Sequence, residues 1–462
     1  MSALSPTIKT EIPGPRSKAL IAEGAFDMQS IYRALVIDDV ASSGPYMVDA
    51  DGNVILDMFA NFALGALGYN HPALVEVAKS DAYVRASVNP TSTPFVTTPA
   101  WFDLMHRIQK HAPPGMGKIY FVDAGGEGVE AALKVAFIRH GEKRREKDGG
   151  PRNPLELPAN VQDQIMQNAG TDAVLISFSG AFHGRGLGPL SATHSKVIHK
   201  ADLPAFPWPM VEFPVNRWPL EKFADENAKA EAESLKALER AIDAHAGRVA
   251  AIVVEPIQSE GGDRHASPAF FRGVQALAKK AGAMLVLDEV QTGVAATGKM
   301  WCHEHFELPE PPDLVAFGKK MQLGGFFARD EHAITQFGRM YQTRNGDRAR
   351  VMLSATVLET IAKEKLVERA ASLGKYFLEG LNGLAAKFPK LVTEPRGRGL
   401  LMSFDMPTTA ARDDLLKRAM KRGVMATYTG TRSVRLRPHL VTTEREADIA
   451  VSVLGDALAE MG

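Results

Sequence analysis

Two short stretches hold the residues most capable of chemistry. LVLDEVQTG (285–293) is an apolar run that delivers Asp288 into a polar turn, and DLVAFGKKM (313–321) delivers Lys319 just past a glycine. Each residue is expected at the carboxyl end of a buried strand. A carboxylate and an amine so placed are what pyridoxal phosphate chemistry requires. The amine forms a Schiff base with the cofactor aldehyde, and the carboxylate keeps the pyridine nitrogen protonated, which makes the ring an electron sink. A carboxylate about 4 Å from that nitrogen is worth roughly 4 kcal/mol at an effective dielectric of about 20. That is about three pKa units, enough to keep a weakly basic pyridine cationic near neutral pH.

Other polar residues gather around the same pattern. Gly125 and Gly126 fall between an expected strand and helix, where unhindered N–H groups make a phosphate site, although turn geometry alone would also favour glycine. Arg185 in GAFHGR could hold a substrate carboxylate bidentately, with Phe182 stacking on a cofactor ring; a structural salt bridge is the competing reading. Glu260 in EPIQSEGG lies beside two glycines, where backbone can approach a ligand closely. Arg435 in SVRLRP is flanked by apolar residues and needs a partner; Arg437 is its confusable neighbour, as Lys320 is for Lys319. Two motifs point elsewhere. GVAATGKM (293–300) has the G-x-x-x-x-G-K spacing of a phosphate-binding loop, which makes a nucleotidase the remote alternative. Met300 replaces the Ser or Thr that would hold magnesium, however, and the motif follows Asp288 too closely for a separate strand–loop–helix unit. Cys302-His303-Glu304-His305 invites a metal reading, but adjacent side chains diverge, so a hydrogen-bonded histidine pair is expected.

The elements that must position these groups are legible as alternation. Apolar runs end at KIYFVDAGG (118–126), AVLISFSGAFHGR (173–185), AAIVVEPIQSEGG (250–262), AMLVLDEVQTG (283–293) and DLVAFGKKM, with helical stretches such as EGVEAALKVAFIRHG between them. Such alternation predicts an α/β fold with a mostly parallel sheet covered on both faces, whose ligands gather at the carboxyl ends of the strands. A loose arm leads to an Asp-Gly hairpin, PYMVDADGNVILDM; residues 140–170, with EKRREKDGG, read as a surface excursion. After about 347, two helical stretches (351–388) precede a smaller α+β unit. The 462 residues suit two or three domains, and Lys plus Arg balances Asp plus Glu at 54 each, so no global field favours nucleic acid or an anionic membrane. One cysteine, Cys302, excludes an intramolecular disulfide framework or an all-cysteine metal site within one chain. No apolar run reaches the length of a membrane span. The opening residues lack a secretory signature and make a poor transit peptide, so the cytoplasm is the expected compartment.

Taken together, SGAFHGRGLGPLSATHSKVIHKADLPAFPWP, VVEPIQSEGGDRHAS, LDEVQTGVAATGKMW, FGKKMQLGGFF and RGRGLLMSFDMP resemble the class III, omega-amino-acid branch of fold-type I pyridoxal phosphate aminotransferases. The likeness runs from residue 11 to residue 441 and is best to the members that act on 4-aminobutyrate. Lysine 6-aminotransferases share GAFHGR, EPIQ, DEVQTG and FGKK but match less well elsewhere. The resemblance implies an arm and part of a small domain over 1–70, a large cofactor-binding domain over 71–345 and the rest of the small domain over 346–462. It implies transfer of the terminal amine of 4-aminobutyrate to 2-oxoglutarate, with L-lysine or beta-alanine as alternative donors. Lys319 would carry the cofactor, Asp288 would pair with the ring nitrogen, Gln291 would bond the phenolic oxygen, Gly125 and Gly126 would cradle the phosphate and Phe182 would stack on the ring. Thr343 would reach the neighbouring subunit's cofactor, so a homodimer with shared sites is implied. Arg185 would hold the far carboxylate of the donor, while Glu260 and Arg435 would form a switch that opens for the carboxylate beside the ketone of 2-oxoglutarate. Tyr341 and Phe62 would complete the pocket, Phe62 being bulkier than the aliphatic residue expected there. Ala124 and Glu127 stand where animal members carry cysteines, so no iron–sulfur cluster is expected; Arg344 replaces an aromatic residue after Thr343.

Overall fold

The computed structural model describes residues 4–89, 94–168 and 170–462. Among these, the largest sheet has seven strands: β1 Lys118–Val122, β2 Val174–Phe178, β3 Met210–Val211, β4 Val249–Val254, β5 Met284–Asp288, β6 Leu314–Phe317 and β7 Gly324–Ala328. Their spatial order is β1-β7-β6-β5-β4-β2-β3. Every neighbouring pair is parallel except the two made by β7, which runs antiparallel to β6 and β1. The expected α/β architecture is therefore present, and the reversed β7 brings its first residue, Gly324, opposite Val122 at the carboxyl end of β1.

Burial on both faces explains why these strands read as continuous apolar runs rather than alternating ones. Side chains still alternate, and each face has its own cluster. Leu175, Val253, Val286 and Ala316 pack with Val129, Ala132, Leu133 and Ala136 of the helix Gly125–Lys147. Ile176, Ile252, Leu285, Leu287 and Phe317 pack on the other face with Phe270 and Val274 of the helix Pro268–Ala281. That second helix is bounded as its sequence requires. Ser267 Oγ accepts the Phe270 N–H, Pro268 opens the first turn, and Gly282 closes the end at φ 67°.

The helix Gly125–Lys147 runs further than expected. EKRREK forms its last turns rather than a surface excursion, because Arg144, Arg145 and Lys147 sit where the helix dipole favours cations. The excursion begins only after it and contains a short helix, Ala159–Met166.

The predicted hairpin forms, pairing Tyr46–Val48 with Val54–Asp57 and then with Val424–Met425, so the two ends of the chain share one small sheet. A second sheet, from Thr393–Arg398, Leu401–Asp405, Ser433–Leu436 and Thr427–Thr429, carries Arg435 toward the large sheet's carboxyl edge. The helices Arg348–Lys363 and Leu366–Lys387 link the two units.

Candidate active site

The carboxyl ends of β1, β2, β4, β5 and β6 converge on a cavity lined by Gly126, Phe182, His183, Glu255, Asp288, Gln291 and Lys319, among others. Asp288 ends β5 with both oxygens fixed. The Val290 N–H donates to Oδ1 at 3.0 Å, and His183 Nδ1 meets Oδ2 at 2.8 Å. Because a carboxylate only accepts, His183 must carry its proton on Nδ1. The other ring nitrogen of His183 is buried without a partner. Glu289, next in sequence, has a separate task. It is buried and accepts the backbone N–H groups of Cys302 and His303 and contacts His303 Nδ1 at 2.7 Å. The Cys-His-Glu-His run is thus a structural network, and no cluster of three metal-ligating side chains occurs among the described residues.

Lys319 follows β6 with φ 47°, a left-handed conformation that is strained for a residue with a side chain. Such strain persists only where the surroundings enforce it, and here close backbone contact does so. A Cβ on Gly318 would lie 2.8 Å from the Cα of Gly125, and one on Gly324 only 2.0 Å from the Ala124 carbonyl oxygen. Burial depresses the Lys319 amine to about 8; Glu260 opposes the shift, while Arg435 and Arg437 reinforce it. Lys320 is buried, forms no ion pair among the described residues, and is depressed to about 7 by burial and by the neighbouring charges of Lys319 and Arg437. Position therefore separates the two lysines: only Lys319 lines the cavity.

Gly125 opens its helix with no side-chain cap at Ala124, so the first N–H groups remain available to an anion. A Cβ on Gly126 would meet only the Cα of Gly184, at 3.4 Å, which leaves the turn open on its outer side. Glu255 is a functional candidate that sequence reasoning passed over inside EPIQSEGG. Its two oxygens accept the N–H groups of Phe182 and Ser259 at 2.8 and 3.2 Å, which ties together the loops bearing Phe182 and Glu260. Burial, and then the charge of Asp288, raise its carboxyl well above the ordinary range.

The Glu260–Arg435 pair is formed, with Nη1 2.6 Å from Oε1. Burial works against ionisation of Glu260, yet Arg435, followed by Lys319 and Lys196, holds it below the usual carboxylate range. Arg185 is exposed and forms no ion pair among the described residues; its guanidinium lies 5.8 Å from the Phe182 ring. That removes the structural salt bridge as an explanation for this arginine. Phe62 is presented by an unusual turn, Ala60–Ala63, in which all four residues have φ between 46° and 63°. Left-handed backbone costs roughly 1–2 kcal/mol per residue. Asp57 helps to hold it by accepting the N–H groups of Phe59 and Ala60, and Phe62 lies 6.0 Å from the Arg435 guanidinium. Tyr341 packs edge-on against Phe95, and Thr343 is exposed in a turn anchored to β1 through Asn345; neither lines the cavity. GVAATGKM is no phosphate loop. Gly298 abuts Ala371 and Gly399 abuts Thr297, and no helix follows it.

Comparison with known proteins agrees with this geometry. A family profile described as "Aminotransferase class-III" matches residues 29–458. The chain belongs to the class III aminotransferases. It is 38% identical to the mitochondrial 4-aminobutyrate aminotransferase of Mus musculus, over 98% of this chain and 91% of that one. It is 39% identical to the 4-aminobutyrate aminotransferase of Kluyveromyces lactis, over 98% and 96%. The solved lysine aminotransferase of M. tuberculosis in its internal aldimine form superposes with a TM-score of 0.87 at 33% identity, covering 96% of this chain and all of that one.

Proposed function

We propose that this protein binds pyridoxal phosphate and moves the terminal amine of 4-aminobutyrate to 2-oxoglutarate, giving succinic semialdehyde and glutamate. The single observation that carries the reading is Asp288 and Lys319 converging on one cavity from the ends of adjacent strands. When bound, the cofactor supplies an aldehyde that accepts the amine and a ring that takes up electron density. Asp288, fixed by Val290 and His183, has the charge and rigidity to hold a proton on the ring nitrogen. Lys319 would secure the cofactor and, once released, move a proton at the substrate carbon; its depressed amine suits a base near neutral pH. Gly125 and Gly126 would take the phosphate, Phe182 would cover the ring face, and Gln291 would donate to the ring oxygen. Arg185, free of carboxylate partners among the described residues, would bind the donor's far carboxylate.

Glu260 and Arg435 serve the change of substrate. The donor has no carboxylate near its reacting carbon, so Glu260 neutralises Arg435 then; the acceptor brings one and takes the guanidinium over. Several large apolar side chains are exposed in the single chain, including Phe26, Met28, Ile31, Val40, Val88, Phe102, Val197, Ile198 and Phe337. That surface supports a homodimer, in which Thr343 and Tyr341 would serve the partner's site. The lack of a described metal cluster and the residues at Ala124 and Glu127 support an enzyme without an iron–sulfur centre. No helix is long and apolar enough to cross a membrane. L-Lysine as donor is the second reading, favoured by the 0.87 TM-score to a lysine aminotransferase.

The test is a panel of half-reactions followed by cofactor absorbance. Purified protein should be converted fastest by 4-aminobutyrate and restored by 2-oxoglutarate. Faster conversion by L-lysine or beta-alanine would replace the donor, and restoration by pyruvate alone would replace the acceptor.

A further inference from the structure

Arg437 stands two residues beyond the switch arginine and does different work. Its guanidinium is buried, and all three of its nitrogens are engaged. Nη2 pairs with Asp263 Oδ1; Nη1 donates to the carbonyls of Met402 and Leu436 at 3.2 and 2.9 Å; Nε donates to Gln291 Oε1 at 3.2 Å. The last contact fixes an orientation. A guanidinium has donors only, so the atom of Gln291 that faces it must be the carbonyl oxygen. The amide nitrogen then points away, has no protein partner among the described residues, and belongs to the side chain that lines the cavity with Asp288 and Lys319.

We propose that Arg437 is a positioning residue that holds Gln291 with its N–H toward the cofactor's ring oxygen, so that a strand of the small unit sets the proton affinity of the bound cofactor. The inference rests on the pyridoxal phosphate reading above. Without Arg437 the amide of Gln291 is free to turn over and present its oxygen to an oxygen of the cofactor. An N–H aimed at the ring oxygen stabilises its anionic form; loss of that bond makes the proton shared near it harder to remove. The bound cofactor should therefore deprotonate at higher pH. Arg437 also acts through charge, since it depresses the Lys319 amine, and the two effects must be separated.

A double-mutant cycle on the holoprotein, without substrate, separates them. The readout is the pH midpoint of the bound cofactor's visible absorption change, measured in wild type, Gln291→Ala, Arg437→Lys and the double variant. Arg437→Lys keeps the charge, but one ammonium cannot serve Asp263 and Gln291 in the geometry of the fork. Gln291→Ala should raise the midpoint by about one pH unit. Arg437→Lys should raise it in the same direction, and the double variant should show little beyond Gln291→Ala alone. Additive shifts, or no shift in Arg437→Lys, would overturn the proposal. Arg437→Met, which removes the charge as well, should move the midpoint in both backgrounds, by more where Gln291 is present; equal shifts would assign the whole effect to charge and overturn it too. Wild-type protein that holds no absorbing cofactor would defeat the cofactor assignment itself, a result distinct from a loaded protein whose shifts are additive.

Discussion

Glu260→Ala tests the switch most sharply, because the structure fixes what is left behind. Arg435 is 1% exposed, and its one hydrogen bond among the described residues goes to Glu260; its Nε is buried without a partner. Removing one member of a buried ion pair typically costs about 3–5 kcal/mol, and the partial exposure of Glu260 argues for about 3 kcal/mol. Glu260 also faces Lys196, whose Nζ is 3.9 Å from Oε2, so its loss leaves a cluster of uncompensated cations. A substrate with a carboxylate beside its reacting carbon can restore the missing charge. A donor without one cannot, and its only carboxylate now finds Arg435 as a competing, unproductive anchor. An energy of about 3 kcal/mol corresponds to roughly a hundredfold change in equilibrium.

The ratio of kcat/KM for glutamate over that for 4-aminobutyrate should therefore rise by about a hundredfold, measured as single half-reactions in a stopped-flow spectrometer. Much of the change should be a lower KM for the dicarboxylate pair. Glu260→Gln, which keeps an acceptor atom but not the charge, should fall between the variant and wild type. If both half-reactions slow by the same factor, within about twofold, the pair is structural and the switch reasoning fails.

Borohydride trapping followed by peptide mass mapping should place the cofactor on Lys319; Lys319→Ala should abolish the adduct, while Lys320→Ala should retain it. In Lys320→Ala apoprotein, attachment should quicken as pH rises through about 8, because a depressed amine becomes neutral and nucleophilic there; a rise only near pH 10 would contradict the burial argument. Gly324→Ala should lose cofactor, since its Cβ would meet the Ala124 carbonyl at 2.0 Å and push on the helix start, whereas Gly126→Ala should keep the fold and bind cofactor more weakly; wild-type retention in Gly324→Ala would remove Ala124–Gly125 from the cradle. His303→Ala should lower thermal stability by about 2 kcal/mol through loss of a bond to the buried Glu289 carboxylate, with chelators changing neither stability nor rate; sensitivity to chelators would revive the metal reading.

Strand ends were legible in the sequence because a buried parallel sheet needs long apolar runs and its ligands sit where those runs stop. That logic located Asp288, Lys319, Gly125 and Glu260 before any coordinates. It could not see that EKRREK continues a helix, since a basic, solvated surface reads the same in a loop as in a last turn. Nor could it see the left-handed turn at Ala60–Ala63, where no glycine announces positive φ and the network at Asp57 imposes it from outside. Glu255 escaped notice for a related reason: it is held by two backbone N–H groups from distant loops, and tertiary contacts of that kind leave no periodicity.

The three adjacent look-alikes show how the fold divides labour that composition leaves ambiguous. Asp288 closes β5 and faces the cavity, while Glu289, one residue on, turns inward to hold Cys302 and His303. Lys319 reaches the cavity only because Gly125 and Gly324 force the chain into a tight bend, and the same bend leaves Lys320 buried. Arg435 and Arg437 differ instead in their partners. One meets a carboxylate that a substrate can replace, and the other is locked by Asp263 and two carbonyls. A charge intended to move thus sits beside one that must not, and the immobile arginine orients Gln291 while the mobile one changes hands. Substituting both arginines together would therefore confuse two effects that single substitutions keep apart.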